Sequence, residues 1–168
     1  MIYKKRQWDE SEVPVIYVDN FLDKKTCLEL HDECLNAPRG AWTLFSRAGS
    51  AMEEYNDLFY SKVAHKTTYD LFHSGEFIYE LEQLTGIVGL MPDPHLVGAG
   101  FSRFRKGKDL KIHHDFNWND RLRLHRKLTC FLFLNPDWKE TWGGHQQYWT
   151  GRHGELIDEV APMFNRFI

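Results

Sequence analysis

Two prolines in Leu90-Met91-Pro92-Asp93-Pro94 divide the chain into stretches whose apolar residues follow different rules. Before them, apolar positions recur at three- and four-residue spacing, the mark of helices packed by one face. After them, apolar and aromatic residues come in short runs between turn signals such as Lys106-Gly107-Lys108 and Trp142-Gly143-Gly144. Such runs read as strands. Helices first and strands afterwards, rather than the two in alternation, predict an α+β domain in which an antiparallel sandwich or barrel is flanked by helices. At 168 residues the chain is long enough for one domain with a single core. Residues 1–92 read as a mostly helical support region and 93–168 as the strands.

Local signals place the elements. VPVIYVDNF (13–21) is β-branched and reads as a strand. Asp23 caps a helix from Lys24 to about Leu35, with Cys27, Leu28, Leu30 and Cys34 on its apolar face. A second helix is expected from about Asn56 to Phe72. Ser74 caps a third, GEFIYELEQL, which Gly86 stops. In the second half, strands are expected from His95 to Arg105, from Leu110 to Asp115, along RKLTCFLFLN (126–135), in GHQQYWT and GELIDEV, and at FNRFI.

Composition narrows the function classes. Net charge is −3, against a general nucleic-acid binder, which needs a basic face. No run approaches the ~20 apolar residues of a membrane span, so neither nucleic acid nor membrane is an expected partner. Cys27, Cys34 and Cys130 are odd in number and lack zinc-site spacing. They read as buried, reduced thiols in a cytoplasmic setting.

The chemistry is concentrated in LKIHHDFNW, 110–118. On a strand, side chains alternate faces, so His113 and Asp115 point one way and His114 the other. An imidazole and a carboxylate two residues apart can grip one metal at neighbouring positions, and with a second histidine they make the facial triad that suits Fe(II). The same triplet also reads as a polar strand end with a solvated aspartate. On spacing alone both readings stand.

The surroundings carry a resemblance. PDPHLVGAGFSRFRKGKDLKIHHDFNW followed by RKLTCFLFLNPDWKETWGGHQQYW is similar, in order and spacing, to the core of the 2-oxoglutarate/Fe(II)-dependent dioxygenase superfamily, in its prolyl-4-hydroxylase-like branch. The resemblance extends more loosely to ELEQLTGIVGLMPDP and APMFNRFI, about half the chain in all. It implies a double-stranded β-helix (jelly-roll) core with N-terminal helices packed on one sheet. It also implies hydroxylation of a C–H bond in a peptidyl-prolyl or small-molecule substrate, with Fe(II), 2-oxoglutarate as cosubstrate, and ascorbate as a further cofactor. His113 and Asp115 become the metal ligands, and no catalytic residue is expected beyond them. Thr129 and Phe131 become cosubstrate-pocket residues, with core packing the plainer role for Phe131. Asn135 and the Gly143-Gly144 pair shape the strands that follow.

The family pattern sets a distal histidine on a strand after FNRFI and an arginine beyond it for the far carboxylate of 2-oxoglutarate, a task that suits a guanidinium fork. Neither position is reached by Ile168. The chain is therefore expected to be a C-terminally truncated form with its last strands missing. Its open sheet edges would invite two copies to pair as a homodimer. His145 and His153 are the substitutes to weigh as a third ligand. His31, His65, His73, His95 and His125 read as helix-surface or strand-end residues. RLRLHR (121–126) reads either as a guide for an anionic substrate or as a solvated edge. Trp118, Trp138 and Trp142 read either as cleft walls or as packing. The rival to the enzyme is a non-catalytic jelly-roll module that binds a ligand or partner.

Overall fold

The structure is a computed structural model and describes residues 14–38, 40–47, 50–58, 61–150 and 154–168. Strand β1 (Val18–Asp19) leads into helix α1 (Lys24–Leu35). Asp23 caps α1 by accepting from the Thr26 amide at 2.9 Å, satisfying an amide that the helix itself leaves free. A hairpin follows, β2 (Thr43–Arg47) and β3 (Ser50–Tyr55), in the stretch whose sequence predicts no element. Helix α2 (Lys62–Thr67) runs directly into a π-helical turn, Thr68–Phe72. Helix α3 (Gly75–Thr85) starts at Ser74, whose hydroxyl accepts from the Phe77 amide, and ends at Gly86 with φ 73°. That left-handed stop is open to glycine without steric cost.

The second helix thus begins at Lys62, later than expected. Its N-terminus is capped from another element. Glu33 on α1 accepts from the Val63 and Ala64 amides at 2.9 and 3.0 Å and from the Ser61 hydroxyl. Burial pushes the Glu33 carboxyl up, but these hydrogen bonds outweigh it and hold the group below its ordinary range.

The second half is strand-like but sparsely paired. Strand β4 (Phe101–Arg103) joins β3, and the turn closed by Lys108 N–H on Arg105 C=O at 2.9 Å then carries the chain away. The expected strand at 110–115 therefore has no ladder; it touches β3 through Ala51 N–H on Asp109 C=O and Lys111 N–H on Ser50 Oγ. Residues 95–100 are likewise turns, with Leu96 and Gly98 at positive φ, rather than strand. Hairpins β5 (Trp118–Asn119) with β6 (Leu124–His125) and β7 (Gln146–Trp149) with β8 (Leu156–Val160) are antiparallel. Of RKLTCFLFLN, residues 131–133 lie beside β9 (Arg166–Phe167): Phe131 and Ile168 exchange both backbone hydrogen bonds at 2.9 Å. The other edge of β9 pairs with β1, Val18 opposite Phe167. At β1, the ladder covers Val18–Asp19 of the expected 13–21 strand, with Tyr17 in a single bridge and Phe21 N–H on Asn165 C=O at 3.1 Å, and Val13 lies outside the described residues. The described residues thus form a mixed α+β fold with small antiparallel sheets.

Two apolar clusters hold these pieces together. One joins Leu30, Tyr55, Leu58, Ala64 and Phe101; the other joins Val18, Phe77 and Phe167, with Phe21 and Phe72 packed on it. Leu132 packs against both, so the segment leading out of the candidate site ties the two halves. Fully burying one such side chain stabilises by about 1.5–3 kcal/mol. Cys27, Cys34 and Cys130 are free; Cys27 is buried and Cys34 half-buried, but Cys130 is exposed rather than buried, and burial pushes the Cys27 thiol up to about 11. No helix among the described residues is long and apolar enough to cross a membrane.

Candidate functional site

The site is built on loops pinned by two polar side chains. Asp93 accepts from the His95 and Val97 amides at 2.8 and 2.9 Å and from Asn119 Nδ2 at 3.0 Å. Asn119 in turn accepts from the Arg121 and Leu122 amides through Oδ1. These Asx-type bonds set the loop shapes on both sides. They support a tight hairpin in which Arg123 takes φ 58° and Trp118 faces His125. One step further along, Arg126 N–H bonds Asn117 C=O at 2.9 Å. The register folds Arg126 and Thr129 back onto Asp115.

Four side chains meet there. His113 Nδ1 lies 2.7 Å from Lys111 C=O, and its Nε2 lies 3.3 Å from Asp115 Oδ1. Asp115 Oδ2 is 3.2 Å from both Arg126 Nη2 and Thr129 Oγ1. The guanidinium of Arg126 lies over the Phe116 ring, 4.5 Å from its centroid. A carbonyl oxygen only accepts, so the ring nitrogen facing Lys111 must be the protonated one. In the neutral ring, Nε2 then presents a lone pair to a carboxylate oxygen. Two such atoms at 3.3 Å repel unless a proton or a cation is shared between them. Ligand atoms about 2.1 Å from one first-row cation on adjacent coordination positions stand roughly 3 Å apart. The donor set and its spacing therefore fit a divalent metal. The side chains of His113 and Asp115 are 47% and 44% exposed, so an ion could enter directly from solvent.

The remaining expected site residues are placed as follows. His114 is exposed. Phe131 pairs its backbone with Ile168 and leaves its ring partly exposed. His145 Nε2 lies 3.0 Å from Glu140 Oε1 and its ring meets Trp138 edge-on, so it is engaged elsewhere. His153 lies outside the described residues. Asn135 Nδ2 donates to Pro162 C=O, while Gly143 and Gly144 take φ 64° and 85°, shaping the turn as expected. Trp138 donates to Gly143 C=O, Trp118 packs on His125, and Trp142 is exposed; they do not form one wall. Among the described residues no third histidine, cysteine, aspartate or glutamate joins His113 and Asp115. Sequence reasoning missed Arg126 and Phe116. RLRLHR marks the basic residue, but not the hairpin register that turns it onto Asp115.

No curated protein and no solved structure matches the chain. Residues 99–168 match the family model of the 2OG-Fe(II) oxygenase superfamily, and His113, Asp115, Arg126 and Thr129 all fall inside that segment. The match supports this superfamily, whose members typically use Fe(II) and 2-oxoglutarate, and with it a general oxygenase function for the chain.

Proposed function

We propose that the chain is an Fe(II)- and 2-oxoglutarate-dependent oxygenase of the prolyl-4-hydroxylase-like branch, hydroxylating a C–H bond of a peptidyl-prolyl or small-molecule substrate. The observation that carries the reading is the convergence of His113 Nε2 and Asp115 Oδ1, with the other ring nitrogen already committed to a carbonyl. Neutral imidazole and carboxylate are the donors of the 2-His-1-carboxylate centre. The branch rests on the order of the HHD, FLN and WGG segments. A jelly-roll core is supported by the short antiparallel pairings that follow Pro92.

In this reading the metal and cosubstrate, when bound, supply the oxidative chemistry, and the chain supplies position. Lys111 C=O keeps the His113 proton on Nδ1 and frees Nε2 as a ligand. Asp115 offers Oδ1 beside it. Among the described residues no third ligand joins them. Thr129 and Phe131, on the segment leaving the site, line the cosubstrate side. The free thiols fit a reducing cytoplasmic setting, which keeps iron in the ferrous state.

Anaerobic titration with Fe(II) or Co(II), followed by calorimetry, tests the proposal. The expected result is one micromolar site, lost in His113→Ala and in Asp115→Ala and kept in His114→Ala. Equal uptake by the parent and His113→Ala would refute the metal centre and favour a metal-free binding module.

A further inference from the structure

We infer that Arg126 and Thr129 are positioning residues that reserve one oxygen of Asp115 for the protein and leave the other to the metal. This rests on the metal-centre reading above and deepens it. A ligating carboxylate can bind through one oxygen or both. Here Oδ2 accepts a hydrogen bond from Thr129 Oγ1 and is ion-paired with Arg126 Nη2, each at 3.2 Å. A hydroxyl donor and a cation on the same oxygen favour keeping the carboxylate's charge and lone pairs turned toward them. Oδ1 is the oxygen facing His113 Nε2. The carboxylate is thereby turned to bind through a single atom, next to the imidazole.

An exposed ion pair contributes little when its partners can wander. Arg126 is constrained on several sides. Its amide is bonded to Asn117 C=O, and its guanidinium lies on the Phe116 ring at 4.5 Å. That ring rests against the bare Cα of Gly98, where a Cβ would come within 2.9 Å of Phe116 Cε1. Gly98 has φ 74°, a conformation that glycine adopts freely. Backbone, ring and glycine together hold the guanidinium beside Oδ2, as outer-shell partners hold the ligands of metal sites elsewhere.

The sign of the effect separates positioning from plain charge. Through space, a guanidinium beside the site repels a cation. Charge alone therefore predicts that Arg126→Gln binds metal more tightly, with Arg126→Lys and Thr129→Val unchanged. Positioning predicts the reverse: Arg126→Gln and Thr129→Val both weaker by roughly tenfold, and Arg126→Lys partly restored because a cation that can hold Oδ2 is kept.

The test is the Co(II) dissociation constant of the 168-residue chain and these three variants, with thermal unfolding run alongside. Thr129→Val changes no charge and almost no volume, so it stays informative if the Arg126 variants fold poorly. The expected ordering is parent tightest, Arg126→Lys intermediate, Arg126→Gln and Thr129→Val weakest. Binding that depends on His113 and Asp115 but is equal in all three variants, or tighter in Arg126→Gln, overturns this inference alone. Absence of any His113-dependent binding in the parent overturns the metal centre and this inference with it.

Discussion

Asn165 is the most exacting single position in the fold, and Asn165→Ala measures it. Its side chain reaches across 143 residues of sequence to accept from Leu22 N–H at 2.9 Å and donate to Leu22 C=O at 2.7 Å. Its backbone sits at φ 60°, a region where Asn is tolerated far better than Ala. Each lost hydrogen bond costs about 1 kcal/mol net. Placing Ala in the left-handed region adds about 1 kcal/mol, for a total near 3 kcal/mol. Asn165→Gly loses the same bonds without the backbone strain, so it should cost about 2 kcal/mol. With a urea slope of about 2 kcal/mol per M, the midpoints should fall by about 1.5 M for Ala and about 1 M for Gly. Equilibrium urea unfolding followed by circular dichroism reads both, with unchanged slopes. If both variants unfold within about 0.3 M of the parent, or if Gly is the less stable, the reasoning is wrong.

Three further substitutions test the scaffold. Glu33→Gln removes the charge that caps α2, and should cost about 2 kcal/mol at neutral pH, since hydrogen bonds to a charged group are worth about 1.5–3 kcal/mol each and Gln keeps part of the geometry. Because the folded Glu33 is held below its ordinary range, its contribution is present above the unfolded carboxylate value near 4.3 and fades as pH falls through the folded value. The gap between parent and variant in unfolding free energy should therefore shrink in acid; a gap independent of pH contradicts the assignment. At Gly100, a Cβ would lie 2.6 Å from Tyr55 C=O and 2.9 Å from Asn56 Cα, both backbone atoms that cannot step aside. Gly100→Ala should thus destabilise by about 1–3 kcal/mol, while Gly75→Ala, which meets nothing within 4 Å, should be neutral or stabilising in the same melts.

What could be read from the sequence was what depends on near neighbours. Helices α1 and α3 run where Asp23, Ser74 and Gly86 say they should, because caps act within a few residues. His113 and Asp115 also come together through local geometry, two positions apart. What escaped were features made at a distance. The start of α2 is set by Glu33, about 30 residues upstream. The Arg126 contact with Asp115 depends on a hairpin register fixed by Arg123 at positive φ, which nothing in RLRLHR announces. The apolar run 126–135 promised a full strand, yet only 131–133 lie beside the last strand, pairing with residues 166–168. The β2–β3 hairpin also went unseen, since TLFSR and SAMEEY mix polar and apolar residues without clean alternation.

The three-stranded arrangement around β9 has a consequence for the order in which the chain can fold. Asp19 and Arg166 are joined by two hydrogen bonds across 147 residues, and Phe167 stacks on Phe21 at 4.3 Å. During synthesis, β1 and the ring cluster of Phe21, Phe72 and Phe77 leave the ribosome long before their closing partner does. Helices α1 and α3 can form early from local contacts, but the cluster they flank stays open until Phe167 arrives. Contacts of such sequence separation slow folding and leave apolar surface uncovered meanwhile. A nascent chain halted before Phe167 should therefore hold helical secondary structure but resist no protease. The last residues of the described sheet act as the latch for the first.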